Sequence, residues 1–550
     1  MKVARVIGAA GSGKTTELLR LMEGALPEVG GDPHAVGLMS FTKAARQEAA
    51  DRVSSAWNVP VESMTRDGWI RTGHSICYRQ LGIEKGQLIT DRKEDMQWLA
   101  DLFKVRLQTA LDDESGNQVY IGDERVAWSL NAWQYHRVTL QPLDQVVKRL
   151  RELTGEGQSV SEVQAVAERY ESEKRCDGRC DYTDMLLRFA GFSCSPKYGI
   201  GRVKPEGELP PVKVWLFDEQ QDASPLLDVV CKRLASGPNV KWCYAVGDPF
   251  QSVFGFAGSS AACFLGWDVV KERIMPKSYR CPAPILELGE ECLRKMNEHG
   301  GYFDRKVAPA DHDGEVLRHS DVEYLSNAVS ADDDWLFIAR TNYQCQRLFA
   351  YLHSIGIPAR SAKSQAEPTA RQVGLGALWK LEKGKPITGA EWARAVEILP
   401  SRSKTAEMLV RGTKKRWKEN DEAARWDIVF ADDLPSIGGT EHLAGMIRSG
   451  DWAGLVDHGS KWRKTAEKWG IERALRPRAR VGTIHAVKGM EADNVAILTT
   501  TSRKVEDGAR ESEQWNEECR IAYVAATRAR KAVHIIEEGG RNTPKMEALS

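Results

Sequence analysis

"VARVIGAAGSGKTTELLRLMEG" (residues 3–24) decides the fold class. A short β-prone apolar run gives way to glycines and then to a helical pattern. The spacing Gly8-x4-Gly13-Lys14-Thr15 is that of a phosphate-binding loop. Glycines let backbone N–H groups face an anion, and the helix that follows adds the partial positive charge of its N-terminus. Lys14 is then expected to reach the β- and γ-phosphates of a nucleotide, and the Thr15 hydroxyl to bind Mg²⁺. The full set read as lining the nucleotide is Gly8, Ala9, Ala10, Gly11, Ser12, Gly13, Lys14, Thr15 and Thr16. Strand, loop and helix in this order predict an α/β fold.

The chain around this loop has 550 residues, too many for one core and enough for several domains. No stretch approaches the roughly 18 apolar residues of a membrane span. The N-terminus runs straight into the glycine loop, unlike a secretory signal. Eleven cysteines are scattered without a framework, which fits a reducing compartment. Together these predict a cytoplasmic protein with no membrane partner. With 77 basic and 77 acidic residues the net charge is zero, so no global field marks a polyanionic partner. Two local runs are biased. Residues 401–418 hold seven Lys/Arg against one Glu, and residues 461–480 hold eight against two. A local basic groove on a neutral protein is enough to bind nucleic acid.

A phosphate loop needs a carboxylate on a neighbouring strand. "PVKVWLFDEQQDASPLL" (211–227) supplies Asp218 and Glu219 at the end of an apolar run. The carboxyl ends of strands are where α/β sheets place their chemistry. Asp218 is read as holding Mg²⁺ through water, and Glu219 as accepting a proton from an attacking water. These two stretches predict nucleotide hydrolysis and no more.

Six further stretches narrow the reading: "SFTKAARQEAADRV" (40–53), "TGHSICYRQLG" (72–82), "YAVGDPFQSVFGFAG" (244–258), "KSYRCP" (277–282), "VGTIHAVKGMEADNVAIL" (481–498) and "EECRIAYVAATRARKAVHII" (517–536). "DYTDMLLRF" (181–189) precedes the Asp218 strand. In order and spacing these resemble the UvrD/Rep family of superfamily 1 DNA helicases, and the likeness runs along the chain apart from two inserts. The resemblance implies two RecA-like P-loop NTPase domains with ATP bound between them, each carrying a mostly helical insertion. The first core is expected to comprise 1–80 and 205–275, interrupted by an insertion at 81–204. The second is expected at 276–375 and 475–550, with an insertion at 376–474 that contains the first basic run and most of the second.

The resemblance also implies roles. Gln251 senses the γ-phosphate and couples the site to DNA. Arg280 and Arg528 reach across the cleft as arginine fingers. Tyr279 stacks on adenine and Glu491 bonds the ribose hydroxyl. ATP and Mg²⁺ are the implied cofactors. Single-stranded DNA and single-strand/duplex junctions are the implied partners, and the compartment is cytoplasmic, at the nucleoid or in host cytoplasm if phage-encoded. Single strands are held by aromatic platforms and by cations along the backbone. Phe41 and Phe256 sit where the family stacks bases, while His74, His485 and Lys488 fall in its strand-contacting segments. The implied activity is an ATP-driven helicase or translocase moving 3′ to 5′ on single-stranded DNA. The alternative is a DNA-stimulated ATPase that does not unwind, a switch or protein-displacing translocase.

Some positions depart from the family pattern. Only seven residues precede Gly8, where relatives carry a Gln-containing adenine-reading segment. Thr16 stands where relatives often have Arg, so a second purine contact is missing. Ala257 replaces the usual Arg after the aromatic of the "GDPFQSVFGF" motif. "SIGG" (436–439) is only a faint likeness of the duplex-gripping loop. "CDGRC" (176–180) with Cys194 lacks a fourth ligand at zinc spacing and is read as a chance cluster. No segment after residue 536 is long enough for a nuclease domain.

Overall fold

The computed structural model describes residues 2–40, 43–111, 118–297, 301–364, 367–419, 426–508, 512–540 and 543–549. Contacts divide the chain into two units. One comprises Met1–Glu315, Arg503–Thr527 and Glu547–Ser550, the other Val316–Ser502 and Arg528–Met546. Each contains a six-stranded sheet flanked by helices, the mixed α/β architecture of two RecA-like domains. Residues 276–315 and 503–527 were grouped from sequence with the second core; by contact they pack with the first.

In the first unit the strands lie in the order Lys271–Ile274, Lys2–Ile7, Trp242–Gly247, Val214–Phe217, Val36–Ser40, Trp69–Thr72, and all pairs are parallel. Val3 to Ile7 and Val214 to Phe217 are continuously buried. That is the pattern expected of strands covered on both faces, and such strands read as unbroken apolar runs rather than alternating ones. Register aligns Ile7 with Gly247, and Phe217 with Ala245. The glycine loop, the Asp218-Glu219 turn and the Gly247-Asp248 turn therefore leave three adjacent strands at the same edge.

The 81–204 insertion is mostly helical, with helices Lys93–Phe103, Glu124–Thr139, Leu143–Thr154, Val160–Cys176 and Tyr182–Ala190 and two small hairpins. The "DYTDMLLRF" motif serves structure here. Asp181 and Asp184 close a capping box on the helix Tyr182–Ala190. Buried Asp181 also accepts from Arg137 (2.8 Å), Lys174 (3.0 Å) and Tyr170 (3.2 Å). Charges this deep survive only when paired on several sides, so the cluster ties three helices together.

In the second unit the order is Glu315–His319, Ala529–Ile536, Ala492–Leu498, Trp335–Ala339, Ala479–Thr483, Ala359–Ser361. The last five are parallel to their neighbours. The 376–474 insertion has its own core around the fully buried Trp392 and Trp452. Its basic helix, Thr413–Glu419, is pinned to "SIGG": the Trp417 indole N–H donates to Ile437 O (2.9 Å) and the Thr413 hydroxyl to Gly438 O (3.0 Å). Gly438 has φ 101°, and a Cβ there would lie 2.4 Å from Thr413 Oγ1, so only glycine fits. Among the described residues no helix is long and apolar enough to cross a membrane.

Candidate nucleotide and nucleic-acid site

The strand Lys2–Ile7 delivers the loop, and Gly8 N–H continues the sheet by donating to Gly247 O (2.9 Å). Gly11 and Gly13 take φ of 69° and 82°, the left-handed region that glycine occupies without steric cost. Gly13 caps the helix Lys14–Glu28 and offers no side-chain acceptor. The first N–H groups of that helix are thus left for another acceptor, the arrangement that suits an anion. The Lys14 ammonium donates to Gly8 O (3.2 Å) and so lies folded over the loop. Thr15 opens the helix half-buried, and Thr16 is exposed. Ala9, Ala10 and Ser12 are buried. Both main-chain groups of Ala10 are bonded: its N–H donates to the Tyr523 hydroxyl (3.0 Å), and its carbonyl accepts from the Ser278 hydroxyl (2.8 Å).

Asp218 and Glu219 follow the strand Val214–Phe217. Glu219 has φ 46°, left-handed and strained for a residue with a Cβ, a condition that concentrates at functional sites. Its carboxylate accepts from Gln221 Nε2 (2.5 Å), while Gln221 Oε1 accepts from Asp248 N–H (3.0 Å). The Asp218-Glu219 turn is thereby laced to the next strand end. Burial, then the neighbouring Glu219 charge, push the Asp218 carboxyl up to about 7, against the opposing pull of Lys14. A low-dielectric pair of carboxylates beside a lysine is a donor set suited to a hard divalent cation.

Asp248 is the best-satisfied charge of this edge. One oxygen accepts from Arg305 (2.7 Å) and Phe250 N–H (3.2 Å), the other from Gln251 Nε2 (2.8 Å) and the Tyr523 hydroxyl (3.0 Å). Burial raises its pKa, but Arg305 and the other donors outweigh that and hold it below the usual carboxylate range. Arg305 is itself buried, also pairs with Glu290 (2.5 Å), and lies over the Phe250 and Tyr523 rings. Gln251, expected near the γ-phosphate, is thus held by its side-chain amide. Tyr279 is 69% exposed and its N–H donates to Gly11 O (2.8 Å); its ring lies 3.8 Å from where a Gly13 Cβ would stand. Arg280 is half-buried and donates to Thr527 O (3.3 Å).

The residues expected along a nucleic-acid strand fall in several places. Phe41 lies outside the described residues. Phe254 and Phe256, two apart in the same turn, differ in exposure. Phe254 is buried at 3% exposure, and Phe256 projects from it edge-on at 52%. His74 packs against Tyr182 beside a small cavity shared with Asp222, Ser224 and Ser259, and burial pushes its imidazole down to about 4, so it is neutral at pH 7. In the second unit, His485 and Lys488 are half-buried in the segment after the strand Ala479–Thr483. Arg528 is buried there and donates to Met490 O (3.3 Å). The Glu491 carboxylate accepts from Arg530 (2.9 Å) within a network that includes Asp334 and Asp493.

Sequence reasoning missed Arg305, Ser278 and Tyr523. The last two lie in "KSYRCP" and "EECRIAYVAATRARKAVHII", close to the arginines that carry the family likeness. Arg305 had no local signal.

Comparison with known proteins agrees with this geometry. Residues 2–268 match the UvrD/REP helicase N-terminal domain, and residues 466–538 match the UvrD-like helicase C-terminal domain. The chain is 23% identical over 374 residues to "Putative ATP-dependent DNA helicase YjcD" of Bacillus subtilis, covering 64% of this chain and 46% of that protein. It is 22% identical over 322 residues to "Probable DNA helicase II homolog" of Mycoplasma capricolum, covering 55% and 40% respectively. The chain thus matches less than half the length of either relative. With the glycine loop, the paired carboxylates and the Gln251 turn at one sheet edge, and both domain models matched in order, the chain belongs to the UvrD/Rep-like superfamily 1 helicase family.

Proposed function

We propose that this protein is an ATP-dependent DNA helicase or translocase that moves 3′ to 5′ on single-stranded DNA and opens duplex at single-strand junctions. The observation that carries its ATPase core is that the segments bearing Lys14, Asp218, Glu219 and Gln251 leave three adjacent strands at one edge, beside a helix start without a side-chain cap, while direction and unwinding are taken from the family likeness. The loop from Gly11 to Thr15 holds the phosphates, Lys14 neutralises the β- and γ-oxygens, and Tyr279 stacks on the base. When Mg²⁺ is bound, Thr15 and Asp218 hold it and it neutralises phosphate charge. Glu219 takes a proton from the attacking water as the water oxygen bonds to the γ-phosphorus and the bond to the β-bridging oxygen breaks, ADP leaving with the electron pair. Arg280 and Arg528 carry the arginine-finger roles, and Glu491 binds the ribose. Phe256 stacks a base, and Phe41, His74, His485 and Lys488 line the strand. The protein works in the cytoplasm, on DNA.

The experiment is strand separation on two duplexes that differ only in carrying a 3′ or a 5′ single-stranded tail. The 3′-tailed duplex opens with ATP and its 5′-tailed twin stays closed. Opening of the 5′-tailed substrate alone reverses the polarity, and opening of neither, with DNA-stimulated hydrolysis intact, favours the non-unwinding ATPase.

A further inference from the structure

The helix Ser512–Ala526 carries three polar side chains at a spacing of three, Glu517, Arg520 and Tyr523. Residues three apart lie on one helix face, so these three form a row about 9 Å long at 1.5 Å rise per residue. Each holds a different part of the first unit's nucleotide and aromatic segments. Glu517 accepts from Gly255 N–H (3.1 Å), next to Phe256. Arg520 donates to Ser252 O (3.0 Å), next to Gln251. The Tyr523 hydroxyl accepts from Ala10 N–H in the phosphate loop and donates to Asp248 Oδ2, each at 3.0 Å. A phenol has one proton to give, so this polarity is fixed: the amide donates to the oxygen and the oxygen donates to the carboxylate. Burial keeps the Tyr523 proton in place by pushing the phenol well above its usual range. Asp248 in turn holds Gln251 (2.8 Å). An unbroken path of hydrogen bonds therefore runs from Ala10 through Tyr523 and Asp248 to Gln251, and the same helix face continues it to the loop bearing Phe256.

The aromatic end of this path is closely packed. Gly255 has no room for a side chain, since a Cβ there would lie 2.9 Å from both Glu517 carboxylate oxygens. A Cβ on Gly258 would lie 2.9 Å from Thr139 Cγ2, and the Tyr135 hydroxyl donates to Gly255 O (3.1 Å). The aromatic loop is thus clasped on two sides, and the polar side of the clasp is the helix that also touches the phosphate loop.

We infer that Tyr523 is a positioning residue and that the face Glu517–Arg520–Tyr523 couples the phosphate loop to the Phe256 loop. Movement of the phosphate loop on nucleotide binding or release is passed to the strand-binding aromatic through this row, and strand binding is passed back. The inference rests on the nucleotide-site reading above and assigns it a coupling element. Coupling between two sites is reciprocal, so it has two readouts.

The test uses the full chain and three variants, with a fluorescent ATP analogue and oligo-dT as probes. Tyr523→Phe keeps the ring and removes only the hydroxyl. Glu517→Ala removes the acceptor for Gly255 N–H, and Glu517→Gln keeps one. In Tyr523→Phe the KM for ATP stays within about threefold, while the ratio of DNA-stimulated to basal turnover falls tenfold or more. Glu517→Ala loses stimulation to a similar degree with basal turnover intact, and Glu517→Gln retains it. The reciprocal readout is tightening of oligo-dT binding by the nucleotide analogue, which is lost in the first two variants. Stimulation that survives in both Tyr523→Phe and Glu517→Ala overturns the coupling. So does a Tyr523→Phe protein that loses nucleotide binding while Glu517→Ala keeps full stimulation, since the hydroxyl then only supports the phosphate loop. Wild-type protein run alongside separates this from failure of the site itself: absence of turnover in the wild type removes the nucleotide reading.

Discussion

Two helices follow interior strands of the two sheets, and they begin differently. In the first unit, Lys2–Ile7 leads through Gly8–Gly13 to Lys14–Glu28, whose N-cap is a left-handed glycine with no side-chain acceptor. In the second, Trp335–Ala339 leads within two residues to Asn342–Ser354, whose N-cap Thr341 accepts from Gln344 N–H. Each helix start carries unsatisfied N–H groups and a partial positive charge. The threonine meets that demand from within the chain, whereas the glycine loop leaves it to be met by a phosphate. One architecture thus yields a ligand site in one unit and a closed structural joint in the other, and the difference is a few residues at the strand–helix turn.

Removing the charge that completes the first arrangement gives the largest expected effect. Lys14→Ala lowers ATP turnover by about 10²-fold or more, the scale of losing a preorganised electrostatic contact, while oligo-dT binding persists. Steady-state hydrolysis and fluorescence anisotropy check the two halves, and equal turnover in variant and wild type breaks the contrast between the helices. Next in size is Phe256→Ala, which removes an exposed ring held on the buried Phe254. Oligo-dT affinity falls by roughly 1–3 kcal/mol, the worth of one stacked base. Titration of labelled oligo-dT reads this, and unchanged affinity takes Phe256 out of the strand path.

The loop's main chain reads phosphates, and Tyr279 is the exposed ring beside it. Stacking tolerates guanine, so GTP supports DNA-stimulated hydrolysis within about tenfold of ATP, a gap of about 1.4 kcal/mol. A thousandfold preference for ATP in competition kinetics assigns base reading to another segment. The smallest effect tests the closed joint. Thr341→Ala costs about 1 kcal/mol of stability, as an N-cap loss does, and leaves ATP turnover unchanged. Denaturant unfolding and hydrolysis assays measure both, and altered nucleotide affinity contradicts a purely structural role for that cap.

Much of this was legible in the chain because its signals are local. A glycine loop, a strand ending in Asp-Glu and a helical run each lie within about twenty residues, and the parallel sheets follow from apolar runs with helical patterns between them. What escaped depends on residues far apart in sequence. Arg305 reaches Asp248 across 57 positions and Tyr523 reaches Ala10 across 513. Nothing in "YFDRKV" marks an arginine for burial. The alternation of Phe254 and Phe256 was hidden because both are aromatic and two apart in a turn, where neither helical nor strand periodicity applies. The Asp181 motif is local, but its buried partners Arg137 and Lys174 come from other helices and leave no trace in spacing.

Hydrolysis at the first sheet's edge is proposed to use Glu219 as the base. Single-turnover hydrolysis of labelled ATP by Glu219→Gln, with binding measured in the same samples, tests it most directly. The amide cannot accept the proton of the attacking water, so ATP should bind normally and the chemical step should slow by about 10²–10⁴-fold, trapping the ATP-bound form. Normal binding with unslowed hydrolysis would remove Glu219 as the base.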